Sequence, residues 1–88
     1  MSWAVEVKPT AEKQYRKLDK KTRARVLESL RELERLENPL LHQNMRPLTG
    51  ELKGDWRLRV GDWRVLITTR GDTQTIYVYA LLPRGGAY

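Results

Sequence analysis

The residues best suited to chemistry are arginines that cluster in the second half of this 88-residue chain. Arg57 and Arg59 lie two positions apart in a segment where apolar and polar residues alternate, so on a strand both side chains project from one face. Gly61-Asp62 predicts a tight turn into the next strand, which brings Arg64 within roughly 10 Å of them. Like charges this close raise the free energy of folding unless an anion lies between them. The spacing therefore predicts a phosphate-binding site.

The alternative is that these arginines are ordinary solvated residues, paired with Asp55, Asp62 or Glu51. For any single arginine the two interpretations are equally good. Three neighbouring arginines, with Lys53 close by and Arg84 in the tail, are harder to explain as solvated surface residues that bind nothing. The overall charge also supports an anion-binding site, because 17 Lys and Arg against 11 Asp and Glu give a net charge of +6. We therefore expect a polyanionic partner, with RNA as the favoured one.

Other classes of site find little support in the sequence. There is no Ser-His-Asp set or phosphate-binding glycine loop, and with no cysteine and one histidine we expect neither a metal nor a cofactor. His42 is expected to be a surface or packed residue rather than a base. Trp56 and Trp63 are expected in the core, and Tyr77 and Tyr79 share a strand face where edge packing is favoured over base stacking. No apolar run is long enough for a signal peptide or a membrane span, so a cytoplasmic location is expected.

The first half of the chain predicts a strand and two antiparallel helices. Alternation over residues 3–8 indicates a short strand, after which Thr10 caps a helix that ends near Asp19. A second helix is predicted over residues 20–37 by an apolar stripe. The stripe consists of Val26, Leu27, Leu30, Leu33 and Leu36. Residues 38–50 carry two prolines, two asparagines and a glycine, which predict a loop.

The second half predicts three strands joined by two Gly-Asp turns. Period-two patterns cover residues 53–60, 63–69 and 75–82, and residues 83–88 are expected to form a flexible tail. The order β-α-α-β-β-β predicts an α+β fold in which the two helices pack on a twisted, mainly antiparallel four-stranded sheet. We expect a single domain over residues 1–88, with function on the face of the sheet that the helices leave open.

Six features in a fixed order carry a resemblance to known proteins. They are the N-terminal strand, residues 15–18, Asn38-Pro39, and residues 46–54, 56–65 and 84–88. In this order they resemble the RelE/ParE superfamily of toxin-antitoxin toxins, and look most like its RelE ribonuclease branch, over nearly the whole chain. The resemblance implies a RelE-like fold. It also implies a ribosome-dependent endoribonuclease that cuts mRNA in the A site, without metal, by attack of a ribose 2′-hydroxyl on the adjacent phosphate.

The resemblance also assigns roles to individual residues. The catalytic set it implies is Arg57, Arg59, Arg64, Arg84 and Tyr88, and the RNA-binding set is Arg46, Lys53, Arg57 and Arg59. Arg64 is our candidate for stabilising charge in the transition state. Arginine holds its proton too tightly to act as a base, which leaves Tyr88 as the expected proton acceptor.

The same fold implies other activities and at least two partners. A ParE-like inhibitor of DNA gyrase without enzymatic activity is one alternative, and an RNA-binding module without catalysis is another. Under either toxin interpretation we expect a cognate antitoxin whose neutralising segment is acidic. The ribonuclease interpretation adds the ribosome, with mRNA in its A site, as a partner.

Overall fold

A computed structural model describes residues 3–83, which form two helices and one mixed five-stranded sheet. The helices are α1, Pro9–Arg16, and α2, Lys20–Arg35. The strands are β1, Ala4–Val7; β2, Met45–Pro47; β3, Trp56–Val60; β4, Trp63–Arg70; and β5, Thr75–Pro83. Across the sheet the strand order is β1-β5-β4-β3-β2. The predicted tail and the candidates Arg84 and Tyr88 lie outside the described residues.

The α+β prediction is confirmed, but the prediction of four strands is wrong. A fifth strand, β2, lies in the segment predicted to be a loop, where it pairs antiparallel with β3. Its Pro47 is at the outer edge of the sheet, where a missing backbone donor is tolerated. The first strand runs parallel to β5, with Val5 opposite Ile76. The other three pairings are antiparallel, so the sheet is mixed.

The helices differ from the prediction at their ends. Lys8 precedes α1 without a side-chain cap, so the predicted cap at Thr10 is wrong; Pro9 starts the helix, where a missing N–H is harmless. α1 stops short of Asp19 because that residue caps α2, accepting a hydrogen bond from the Thr22 backbone N–H at 3.3 Å. The hydrogen bonds from Thr22 lower the pKa of Asp19. α2 ends at Arg35, two residues earlier than predicted.

One face of the sheet packs against the helices and forms the core. Leu30 and Leu33 of α2 meet the strands there, together with Leu58, Val65, Ile67, Ile76 and Val78. The tryptophans Trp56 and Trp63 pack against this core as predicted. The apolar stripe of α2 is narrower than predicted, because Leu27 and Leu36 are 40% and 36% exposed. Neither helix within residues 3–83 is long and apolar enough to cross a membrane.

Candidate nucleic-acid interface

Four arginines lie on the face of the sheet that points away from the helices. Arg57 and Arg59 alternate with the buried Leu58 along β3, so both project from the open side. Arg64 on β4 is directly opposite Arg59, and Arg46 on β2 is directly opposite Arg57. Residues directly opposite in antiparallel strands share a face, with Cβ atoms about 4.5–5.5 Å apart. We call Arg46, Arg57, Arg59 and Arg64 the arginine face.

Carboxylates do not neutralise three of these four residues. Among residues 3–83, no ion pair involves Arg46, Arg57 or Arg59. Arg46 instead donates from Nη1 to the backbone oxygens of Gln43 and Met45, at 3.1 and 2.8 Å, which leaves its charge uncompensated. For Arg57 and Arg59 the alternative of ordinary surface ion pairs is therefore wrong.

The Arg57 guanidinium is partly buried and incompletely satisfied. Its Nε atom is shielded from solvent and has no hydrogen-bond acceptor. The residue opposite it on β4, Leu66, is 3% exposed although it belongs to the open face. A buried donor without an acceptor costs roughly 1–3 kcal/mol. The folded chain therefore carries this energetic cost at Arg57.

A β-bulge lies at Tyr79, which was predicted to share a strand face with Tyr77. The register of β4 and β5 shifts between Leu66 and Ile67, which leaves Tyr79 without a direct partner. The Tyr79 hydroxyl donates to Asp55 Oδ2 at 2.8 Å. Burial and this hydrogen bond raise the pKa of Tyr79 to about 12. Tyr79 therefore keeps its proton at neutral pH and is unsuited to act as a general base.

Tyr77 and the remaining candidates lie farther from the centre of the arginine face. Tyr77 is half-buried, with Lys8 Nζ 4.4 Å from its ring centroid. Lys53 is exposed in the turn before β3, whereas Arg59 and Arg64 pair near the other end of that strand. The fold therefore brings the four arginines together, and it leaves Lys53 at the periphery.

His42 has a structural position, as expected. It is 9% exposed, and its Nε2 lies 3.0 Å from Glu32 Oε1. Its Nδ1 accepts a hydrogen bond from the Asn44 backbone N–H, also at 3.0 Å. The acceptor role of Nδ1 assigns the proton to Nε2, which can donate to the carboxylate. This ring fixes the segment that enters β2 and is not part of the arginine face.

The sequence did not predict that Arg46 lies directly opposite Arg57 in the sheet. The resemblance indicated Arg46 for RNA binding, but the loop predicted around it gave no position in the sheet. At the other end of the site, Leu82 of β5 is directly opposite Arg64, two residues before Arg84 in the sequence. The signal that was available for β2 is the short apolar-polar alternation around Met45, which two prolines obscured.

The sequence matches a toxin family model and the fold is similar to those of RelE-type toxins, which confirms the predicted RelE/ParE superfamily. The chain belongs to the ParE toxin family of type II toxin-antitoxin systems, because the family model described as "ParE toxin of type II toxin-antitoxin system, parDE" matches residues 5–88. No curated protein matches the chain.

Solved structures of the superfamily are similar over almost the entire chain. The archaeal RelE-RelB complex from Pyrococcus horikoshii has 28% identity and a TM-score of 0.81, and the match covers 99% of this chain and 100% of that one. The RelBE2 toxin-antitoxin complex from Mycobacterium tuberculosis has 25% identity and a TM-score of 0.81, with coverages of 96% and 100%. The isolated RelE toxin of E. coli, at 18% identity, TM-score 0.76 and coverages of 98% and 88%, is similar in fold.

Proposed function

We propose that this toxin is a ribosome-dependent endoribonuclease that cuts mRNA in the A site and thereby inhibits translation. The observation that carries the proposal is the arginine face, where cationic side chains from three adjacent strands share one side of the sheet. Three of its members have no carboxylate partner among the described residues, so their charge is available to a phosphodiester. Similarity at 25–28% identity to structures titled as RelE-type complexes also supports this branch.

The reaction we propose is an internal transesterification. The 2′-hydroxyl oxygen attacks the adjacent phosphorus, the bond from phosphorus to the 5′-oxygen breaks, and the products are a 2′,3′-cyclic phosphate and a 5′-hydroxyl. The base takes the 2′-hydroxyl proton, and the leaving 5′-oxygen gains one. Negative charge grows on the phosphorane oxygens, so fixed cations stabilise the transition state more than the bound substrate. Arginines thus supply the electrostatic role that would otherwise need a metal ion.

The individual arginines take different roles in this proposal. Arg64 stabilises the phosphorane, at about 3 kcal/mol on the precedent of single oxyanion-site donors. Arg57 and Arg59 hold the phosphate, because a guanidinium binds two oxygens but does not release its proton at neutral pH. Arg46 and Lys53 contact the RNA backbone on either side.

Proton transfer is assigned to the end of the chain. We propose Tyr88 as the acceptor of the 2′-hydroxyl proton, with Arg84 as a further cation beside the scissile phosphate. Tyr79 is unsuited to that role, because its pKa of about 12 keeps its hydroxyl protonated at neutral pH. Cations near Tyr88 favour its phenolate and so make it a better base.

A cognate antitoxin is the expected regulator of this activity. The structures from Pyrococcus horikoshii and Mycobacterium tuberculosis are titled as toxin-antitoxin complexes. We propose that the antitoxin of this chain presents an acidic segment to the arginine face or to the helical pair. Opposite charges would speed the association and give it a dependence on salt.

A second candidate is non-enzymatic inhibition of DNA gyrase. The specific observation in its favour is the family model, which is that of the ParE toxins rather than of RelE. In this function the arginine face would bind a partner without bond cleavage. A supercoiling assay with purified gyrase distinguishes the two candidates, because a ribonuclease leaves supercoiling unchanged.

The decisive experiment for the proposed function maps RNA ends in a reconstituted translation system. The wild-type chain is compared with the double variant Arg64→Ala Tyr88→Phe. We expect the wild type to generate new 3′ ends inside codons and the double variant to generate none. Equal cleavage by both would refute the roles assigned here. Inhibited supercoiling without new RNA ends would replace the proposal with gyrase inhibition, and ribosome binding with neither effect would indicate a binding module.

A further inference from the structure

A second cationic site lies at the edge of the sheet, where α2 passes the turn between β3 and β4. It is an open groove of about 450 Å³. Lys21 and Arg25 of α2 line it, and their spacing of four residues places them on one side of that helix. Arg59 of β3 lines it from the sheet. We call this site the edge groove.

Within the part of the chain that the structure describes, no ion pair neutralises the positive charge of the edge groove. Among residues 3–83, Lys21, Arg25 and Arg59 form no ion pair. Glu28 contributes a carboxylate to the lining, but its Oε1 accepts a hydrogen bond from Arg35 Nη1 at 3.2 Å, and Arg35 does not line the groove. The lining thus holds three cations and one carboxylate that is already engaged. This combination favours an anionic ligand.

The Arg25 guanidinium lies beside the turn at Gly61. Gly61 has a φ of +57°, a left-handed conformation that favours glycine. A Cβ atom at this position would lie 3.4 Å from Arg25 Nη1, an ordinary van der Waals distance. The guanidinium therefore lies next to the backbone of the turn between β3 and β4. Ser29 and Asn44 add neutral polar side chains to the same groove.

Arg59 belongs to both the arginine face and the edge groove. β2 pairs with β3 only as far as Leu58, where Met45 is opposite, so β3 is the outermost strand from Arg59 onward. The Arg59 backbone N–H donates to the Asn44 carbonyl oxygen at 3.0 Å, which fixes this corner. Cationic side chains therefore continue from the open face, around the edge of the sheet, to α2.

We propose that the edge groove binds a backbone phosphate of the RNA outside the bond that is cut. The strand would cross the arginine face, turn at Arg59 and place a neighbouring phosphate between Lys21 and Arg25. Such a contact positions the nucleic acid and carries no base specificity. The inference rests on the proposed function for the identity of the ligand as RNA, and on the charges and geometry of the groove for the site.

The test measures binding separately from cutting. A fluorescent oligouridine with 2′-O-methyl groups cannot undergo the transesterification, so its anisotropy reports affinity for the intact chain. The groove variant Lys21→Gln Arg25→Gln is compared with Lys13→Gln Arg31→Gln. The control removes one lysine and one arginine from exposed helical positions that do not line the groove. Circular dichroism melting checks that both variants fold.

We expect the groove variant to bind roughly tenfold more weakly at moderate salt, and the control to change less than about twofold. Between about 50 and 200 mM salt, the slope of log K against log salt should become shallower by about 0.7 for each phosphate that the variant no longer neutralises. Equal losses of affinity in the two variants, or no binding by the wild type, would overturn the inference. If the groove variant alone loses affinity while the translation assay shows no cut RNA, the groove stands and the ribonuclease proposal fails.

Discussion

The arginines of this chain include two sets with opposite electrostatic surroundings. Three on the helices and at the end of β4 each contact a carboxylate: Arg16 with Glu12, Arg35 with Glu28 and Arg70 with Asp72, at 2.6, 3.2 and 3.0 Å. Arg46, Arg57 and Arg59 share one face of the sheet and have no such partner among residues 3–83. The paired set forms ion pairs at the surface of the folded chain, whereas the charge of the other three arginines is uncompensated within the described residues.

Local geometry explains why the two sets differ. The Arg16–Glu12 pair spans one helical turn, and the Arg70–Asp72 pair joins the last residue of β4 to the turn that follows, so these two arginines have their carboxylates close in sequence. The carboxylate just before β3, Asp55, accepts a hydrogen bond from Tyr79 instead. Among residues 3–83 it forms no ion pair with Arg57. The uncompensated charge therefore depends on neighbouring side chains as well as on composition.

The largest expected contrast is between two arginines on the same strand. Arg64→Gln should lower the rate of mRNA cleavage about 10²- to 10³-fold, because it removes a fixed cation from the growing charge of the phosphorane. Arg70→Gln, which breaks the pair with Asp72, should change the rate less than about twofold. Single-turnover cleavage on programmed ribosomes measures both. Similar losses in the two variants would erase the distinction between the arginine face and the paired set.

Replacing Arg57 should have a smaller effect, and one that increases stability. Arg57→Leu should raise the free energy of unfolding by about 1–2 kcal/mol, because it removes a buried donor without an acceptor and a repulsive charge. The same variant should bind the methylated oligouridine more weakly. Urea denaturation provides the measurement, with Arg35→Leu as a control that should gain no stability. A loss of stability in Arg57→Leu would show that the guanidinium is well satisfied in the free chain.

The hydrogen bond from Tyr79 to Asp55 gives a pH-dependent prediction. In the folded chain this phenol has a pKa of about 12, against 10.0 for an unperturbed tyrosine. The raised value favours the protonated folded form, so its stabilisation is complete below pH 10.0 and is lost as the pH rises through about 12. Tyr79→Phe should cost about 1 kcal/mol at neutral pH and flatten this alkaline decline. Denaturation midpoints of both chains between neutral and alkaline pH test it; parallel pH curves would contradict it.

The smallest effect is expected for a paired arginine. Arg16→Gln should lower the free energy of unfolding by less than about 0.5 kcal/mol, because both partners of the pair with Glu12 are more than half exposed. Cleavage should be unchanged. Thermal melting at low and high salt checks the first statement, and the difference between the two chains should shrink as salt rises. A large loss of activity would show that the paired set also contacts the RNA.

Much of the site was predictable because it depends on local pattern. The alternation of Arg57 and Arg59 with Leu58 specifies one face of a strand, and the glycine turn before Trp63 specifies an adjacent strand carrying Arg64. The same alternation places Trp56 and Trp63 on the opposite face of the sheet from the arginines. These relations span fewer than ten residues, so sequence spacing alone fixes them.

The remainder depends on contacts between distant segments. β2 is three residues long and contains a proline, so it forms a strand only because β3 offers an edge to pair with. The parallel pairing of β1 with β5 joins the two ends of the described chain. The bulge at Tyr79 results from the way β5 pairs with β4, and no local residue pattern predicts it. The position of Arg46 and the shape of the edge groove depend on such pairings, so local pattern did not predict them.

Two triple variants of equal charge compare the arginine face with the paired set most directly. One is Arg57→Gln Arg59→Gln Arg64→Gln on the sheet face, and the other is Arg16→Gln Arg35→Gln Arg70→Gln in the paired set. Cleavage of mRNA on programmed ribosomes is recorded for both under single-turnover conditions. We predict that the face variant loses cleavage by at least about 10³-fold while the paired variant stays within about threefold of the wild type. Equal rates in the two variants would contradict the role of the sheet face in catalysis.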